Sequence, residues 1–298
     1  MKKLKNFYFI NLCLIIIIIS TGIVSGKTEE PNAILISWDG VSKDPLLELM
    51  DSGKLQNLTG IYKNGSFVNL SITDHFPDTM SGHAQMLTGY PPEITGVFKS
   101  MRYKEIPSGL TLFERLEDNL GDETIFTGII ASQEKSLGSL HGLPFYHAGK
   151  IVDYHYDKNS DAGLVGSVAT EAVHHFANQG RFFIFIHFRD AADSGYAFGA
   201  GTQKQLDQII NVDAGTGMIL NAVRDAGVAE NTMIFITTDH GFNSGQTDNA
   251  GQNDLWLITN EPGLNETGDQ KDIVPTVLQK MGVPFENITP VYPGISLI

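Results

Sequence analysis

The run Ala33-Ile34-Leu35-Ile36-Ser37-Trp38, stopped by Asp39-Gly40, constrains this chain more than any other feature. Its first four positions are all apolar, so a strand there must be covered on both faces. A strand with one wet face would alternate instead. Further short strand-like runs follow at residues 67–72, 124–130, 182–188, 233–238 and 255–259. Helical patterns lie between and after them. One is opened by Asp44-Pro45 and followed by Gly53. Others span 80–87, 111–119, 163–178, 206–226 and 273–281, and Leu112, Phe113 and Leu116 share one face of theirs. Strands alternating with helices predict an α/β fold with a mostly parallel central sheet and helices on both faces. Residues 132–162 contain Gly, His and Tyr without periodicity and are expected to form a loop over the site. No linker or repeat interrupts residues 27–298, which are expected to be a single domain.

Residues 1–26 read differently. Lys2, Lys3 and Lys5 precede an apolar stretch from Phe7, and small residues end it at Val24-Ser25-Gly26. This is the pattern of a signal peptide, with an N-terminal membrane anchor through residues 7–24 as the alternative. Export is expected either way, to the periplasm, the cell surface or the medium. Cys13, the only cysteine, lies in this segment, so no thiolate or disulfide is expected in the mature chain. Any metal must be held by His, Asp, Glu or hydroxyl groups. The formal charge of −14 becomes −17 once the three lysines of residues 1–26 are removed. That acidity argues against a nucleic-acid polymer as partner. It leaves small phosphate esters open, because a bound cation dominates its own site.

In sheets of this kind ligands bind beyond the carboxyl ends of the strands. Three polar clusters stand there: Asp39-Gly40, Arg189-Asp190-Ala191-Ala192-Asp193, and Thr237-Thr238-Asp239-His240-Gly241. A lone Asp in such a place is often a helix cap. Asp followed directly by His is rarer, and oxygen plus imidazole suits zinc or manganese. Thr79, in Asp78-Thr79-Met80-Ser81-Gly82-His83, stands where a helix should begin. It is either that helix's N-cap or a hydroxyl offered, with the helix N-terminus, to an anion.

In this order the motifs resemble the alkaline phosphatase superfamily. The branch they are most similar to is the type I phosphodiesterase/nucleotide pyrophosphatase group. Gly109-Leu110-Thr111-Leu112-Phe113 and Asp272-Ile273-Val274-Pro275-Thr276 extend the likeness along the mature chain. The resemblance implies an alkaline-phosphatase-like, sulfatase-like fold. It also implies a divalent metal, zinc by expectation, held by Asp39, Thr79, Asp239 and His240. Thr79 would be the nucleophile toward a small phosphate ester, giving a phospho-threonine that water hydrolyses.

The chain departs from that pattern at the second metal that such enzymes usually carry. Ala192 stands where the family has Asp, Tyr196 where it has His, and no His follows Asp239-His240-Gly241. A second cation stabilises charge worth several kcal/mol. Losing roughly 4 kcal/mol costs on the order of a thousandfold in rate. Three readings follow. Asp190, Asp193 or Asp248 rebuild the second site. Or one cation suffices, as in sulfatases, although their Cys/Ser-x-Pro-x-Arg motif is absent. Or the chain is a non-catalytic member that binds phosphorylated or sulfated ligands.

Overall fold

The structure is a computed structural model that describes residues 30–133, 137, 141–249 and 252–298. The signal-peptide or anchor reading of residues 1–26 lies outside the described residues. Among those described, no helix is long and apolar enough to cross a membrane.

Eight strands form one sheet: β1 (Asn32–Trp38), β2 (Ser66–Ser71), β3 (Ile125–Ala131), β4 (Tyr154–Tyr156), β5 (Arg181–Phe188), β6 (Thr232–Thr237), β7 (Asp254–Thr259) and β8 (Thr267–Asp269). Their order is β4-β3-β5-β1-β6-β7-β2-β8. β1 lies between β5 and β6 and is parallel to both. β7 alone runs antiparallel to its neighbours, β6 and β2. The expected α/β class and mostly parallel sheet are therefore present.

Two cores cover the sheet, one on each face. Ala33 and Leu35 face the helices Thr79–Thr88, Leu112–Leu120 and Ile273–Lys280. Ile34 and Ile36 face Lys43–Asp51, Ala162–Ala177 and Gln203–Asp225. This is why β1 is apolar at successive positions: each side chain meets a helix layer. Fully burying a side chain of this size contributes about 1.5–3 kcal/mol. Trp38 and Trp256 meet edge to face at 5.8 Å. Each indole also donates a hydrogen bond, to Thr216 Oγ1 and to the Val41 carbonyl. Neither large ring is buried at the expense of its N–H.

Local chemistry sets several boundaries. Thr111 and Glu114 form a reciprocal capping box at the start of Leu112–Leu120. The helix expected to have Asp44 as its cap and Pro45 as its first residue starts two residues earlier, at Lys43 after Ser42, so Asp44 lies in its first turn and is not the cap. The stretch 132–162 is less irregular than expected. It contains the helix Ala148–Ile151 and the edge strand β4, whose pairing with β3 supplies order that its sequence lacks. The polar cluster after β5 is not a loop but the start of the helix Asp190–Phe198. The helix Gln56–Tyr62 has no local cap at Leu55. The Asp213 carboxylate caps it instead, accepting from the backbone of Asn57 and Leu58 at 3.2 and 2.8 Å.

Candidate active site and metal centre

The carboxyl ends of β5, β1 and β6 lie side by side, so the residues just past them converge. Asp39 follows β1, and Asp239-His240 follows β6. Asp39, Asp239 and His240 are fully buried, and Thr79 is nearly so. Among the described residues these first three form the one group of His, Cys, Asp or Glu able to hold a metal, their ligand atoms within 4.8 Å of one another.

Thr79 reaches them from the first turn of its helix. Asp78, not Thr79, is the N-cap: its carboxylate accepts from the Ser81 backbone at 3.1 Å and the Ser81 hydroxyl at 2.6 Å. The capping alternative for Thr79 is thereby removed, and its hydroxyl turns to His240, with Oγ1 3.3 Å from Nε2. Gly82 allows this approach. A Cβ there would lie 2.4 Å from the Asp239 carbonyl oxygen, so any other residue would push the helix away.

His240 Nδ1 donates to the Gly241 carbonyl at 3.0 Å, which leaves Nε2 facing inward. Nε2 lies 3.4 Å from Asp39 Oδ1 and 3.6 Å from Asp239 Oδ2. Neither of those buried oxygens has a hydrogen-bond partner. Leaving such groups unpaired is costly, so two in one pocket call for a ligand. The spacing fits a cation. Metal–ligand bonds of about 2.0–2.2 Å in tetrahedral array put ligand atoms about 3.3–3.6 Å apart. The remaining carboxylate oxygens are already occupied. Asp239 Oδ1 accepts from the Gly40 backbone at 3.1 Å, and Asp39 Oδ2 accepts from His187 Nε2 at 3.0 Å.

The electrostatics agree. Burial pushes the Asp39 carboxyl up, but the hydrogen bond of His187 and the nearby His240 imidazole outweigh it and hold it well below the usual range. Burial and the neighbouring Asp39 charge push Asp239 well above its usual value. Burial opposes charge on His240, yet Asp239 and Asp39 lift it to about 9. Asp239 and His240 hold protons firmly beside the charged Asp39, so the pocket favours added positive charge.

Two histidines belong to this site that sequence reasoning did not assign to it. His187 sits near the end of β5, the one polar side chain of the run 182–188, and that isolation was the available signal. His83 Nδ1 donates to the Thr79 carbonyl at 2.6 Å, and its Nε2 meets Ser37 Oγ at 2.9 Å. Burial, reinforced by His187, depresses it to about 3, so it stays neutral. It braces the helix Thr79–Thr88.

The second-metal candidates do not assemble. Asp193 pairs with Arg189 Nε at 2.7 Å and is more than half exposed. Asp190 Oδ1 accepts from the Ala162 backbone at 3.0 Å while its buried Oδ2 has no partner, beside a cavity that Asp161, Arg189 and Asp193 also line. Asp248 joins Asn243. None of the three is in the metal-competent group. The space near Gly40 and Ala192 is taken by Phe242. A Cβ on Gly40, whose φ is +69°, would lie 2.5 Å from that ring. Ala192, Ala200 and Phe242 make a small apolar cluster of their own. His141 and His147 face Glu105, and His155 faces Asp157, so none of them lines the site.

The sequence profile described as Type I phosphodiesterase / nucleotide pyrophosphatase matches residues 33–293. No curated protein sequence matches the chain. Solved structures share the fold at low identity. A 2-O GAG sulfatase gives a TM-score of 0.64 at 14% identity, over 90% of this chain and 73% of its own. The lipoteichoic acid synthase LtaP from Listeria monocytogenes gives 0.59 at 13%, over 90% and 75%. Murine ectonucleotide pyrophosphatase/phosphodiesterase 5, an inactive variant in complex with AMP, gives 0.61 at 11%, over 85% and 96%.

Proposed function

The chain belongs to the type I phosphodiesterase/nucleotide pyrophosphatase family, and from that premise we propose an exported phosphate-ester hydrolase with Thr79 as nucleophile and one divalent cation, zinc in the first instance, held by Asp39, Thr79, Asp239 and His240. One observation carries the reading: the unpartnered, fully buried Asp39 Oδ1 and Asp239 Oδ2 lie at cation-ligand spacing from the His240 imidazole nitrogen, which has the Thr79 hydroxyl 3.3 Å away.

A cation in this pocket supplies positive charge that favours the ionised Thr79 hydroxyl and neutralises phosphoryl charge. The protein's own groups do the positioning. The helix beginning at Thr79 points its N-terminal N–H groups and dipole toward the ester's anion. His83 holds the Thr79 backbone, and His187 fixes the Asp39 carboxylate. Thr79 Oγ1 attacks phosphorus in line, the bond to the leaving alkoxide breaks, and the proton lost by Thr79 is balanced by the one the departing alcohol gains. Water then attacks the phospho-threonine, freeing the phosphate and returning a proton to Thr79 Oγ1. The N-terminal segment read as a signal peptide or anchor supports export.

The apolar cluster of Ala192, Ala200 and Phe242 favours a one-cation version of this chemistry over a two-cation one. The test is metal analysis combined with hydrolysis of an aryl phosphate monoester, an aryl phosphate diester and an aryl sulfate. Turnover of a phosphate ester that chelation abolishes and added metal restores is the expected result. Bound metal without turnover on any of the three indicates a binding protein, and turnover of the sulfate alone indicates a sulfatase.

A further inference from the structure

The segment that lacks the second-metal ligands is not inert. The helix Asp190–Phe198 follows Arg189, its N-cap, and Tyr196 lies seven positions further on. Seven residues are two helical turns, so both side chains leave the same flank. Both reach the candidate site. Arg189 Nη1 lies 3.8 Å from Asp39 Oδ2. Its Nε is held by Asp193 Oδ1 at 2.7 Å, one turn along the helix. The Tyr196 hydroxyl lies 3.4 Å from His240 Nε2 and accepts from Asn249 Nδ2 at 3.2 Å. Thr79 Oγ1 approaches the same His240 Nε2, at 3.3 Å. One helix thus delivers a fixed cation and a hydroxyl to the edge of the nucleophile, while Phe242 and Ala192 fill the space behind.

We propose that Arg189 and Tyr196 replace the second cation, with the guanidinium and the phenol donating hydrogen bonds to the phosphoryl and leaving oxygens of an ester attacked by Thr79. This rests on the phosphate-ester reading above. A guanidinium carries five donors, and the Asp193 contact uses one. Its planar fork suits phosphate oxygens, and its charge does not depend on pH. Donors fixed before the reaction need no reorganisation as charge develops, so they are worth more than mobile ones. Asp193 and Asn249 are positioning residues: each contacts one of the donors.

The experiment uses the full chain equilibrated with zinc, as wild type, Tyr196→Phe, Arg189→Gln and Arg189→Lys. Bound metal per chain is counted, orthovanadate affinity is measured by calorimetry, and kcat and KM are measured on an aryl phosphate ester. All four proteins are expected to bind one metal. Tyr196→Phe and Arg189→Gln should bind vanadate about tenfold more weakly, as loss of a hydrogen bond to a charged group implies. Each should lose about a hundredfold in kcat with KM changed far less, as for a lost oxyanion donor. Arg189→Lys should fall between Arg189→Gln and wild type. Wild-type vanadate affinity in Tyr196→Phe or Arg189→Gln overturns the proposal. So does loss of metal from either variant, which would make the side chains mere supports of Asp39 and His240. A wild-type protein that binds neither metal nor vanadate sinks the underlying reading and this inference with it. Tyr196→Phe and Arg189→Lys conserve shape, so both donors stay testable even if Arg189→Gln folds poorly.

Discussion

The two flanks of Asp39 differ in what their buried groups have already found. On the Oδ1 side, His240 Nε2 lies 3.4 Å from Asp39 Oδ1 and 3.6 Å from Asp239 Oδ2, and both carboxylate oxygens are unpartnered. On the other side, Asp39 Oδ2 has His187 at 3.0 Å, Arg189 has Asp193, and Ala192 packs against Phe242. The first flank leaves two buried oxygens for the proposed cation. The second is closed by protein atoms. A buried polar group left alone costs free energy, so the contrast separates a site awaiting its ligand from one the chain has filled itself.

Removing the proposed nucleophile should break the contrast most severely. Thr79→Ala is expected to lower kcat by a thousandfold or more, on the order of losses seen when a nucleophile is deleted. Its thermal stability should hardly change, because Asp78 caps the helix. Full activity in Thr79→Ala removes Thr79 from the mechanism. The closed flank is tested by Ala192→Asp. A carboxylate placed there is buried beside Phe242, and an unpaired buried charge costs about 3 kcal/mol or more. Denaturant unfolding should show that loss with the metal count unchanged; a gain of a second metal would mean the flank is not closed. His187→Ala keeps the ligands but frees Asp39 Oδ2. Loss of such a supporting hydrogen bond typically weakens metal binding by about 10–100-fold, which a chelator competition assay reads directly.

The smallest effect concerns a buried carboxylate far from any cation. Burial lifts Glu117 to about 7, against the hydrogen bond from Thr127 Oγ1, which it accepts at 2.7 Å. A folded-state value above the unfolded one means that the native state binds the extra proton. Its contribution to stability is therefore full in acid and is lost as pH rises from about 4.5 to about 7. Glu117→Gln should flatten the melting-temperature profile over that interval, by only a few degrees because this one group is only partly buried. A profile that stays as steep as wild type removes Glu117 as its cause.

Much of the fold was legible because its signals are local. β1, β5 and β6 are short apolar runs, and Thr111–Glu114 is a capping box visible in four letters. What escaped depends on distant partners. The helix Gln56–Tyr62 starts on the carboxylate of Asp213, more than 150 residues away. β4 is a strand because β3 lies beside it. The arrangement of Asp39, Thr79, Asp239 and His240 was expected, and the structure gathers them. His187 was absorbed into an apolar run, and Arg189 and Tyr196 acquire meaning only once a helix places them seven positions apart on one flank. Motif order carries the ligands of a site. The groups that hold those ligands, or stand in for missing ones, are set by packing.

The half-closed site should hold a single cation. Native mass spectrometry of the zinc-equilibrated chain, with and without a chelator, measures this directly. The predicted spectrum shows a single added divalent ion, lost to the chelator and absent in Asp239→Asn. A wild-type mass with two ions, or with none, contradicts the one-cation site.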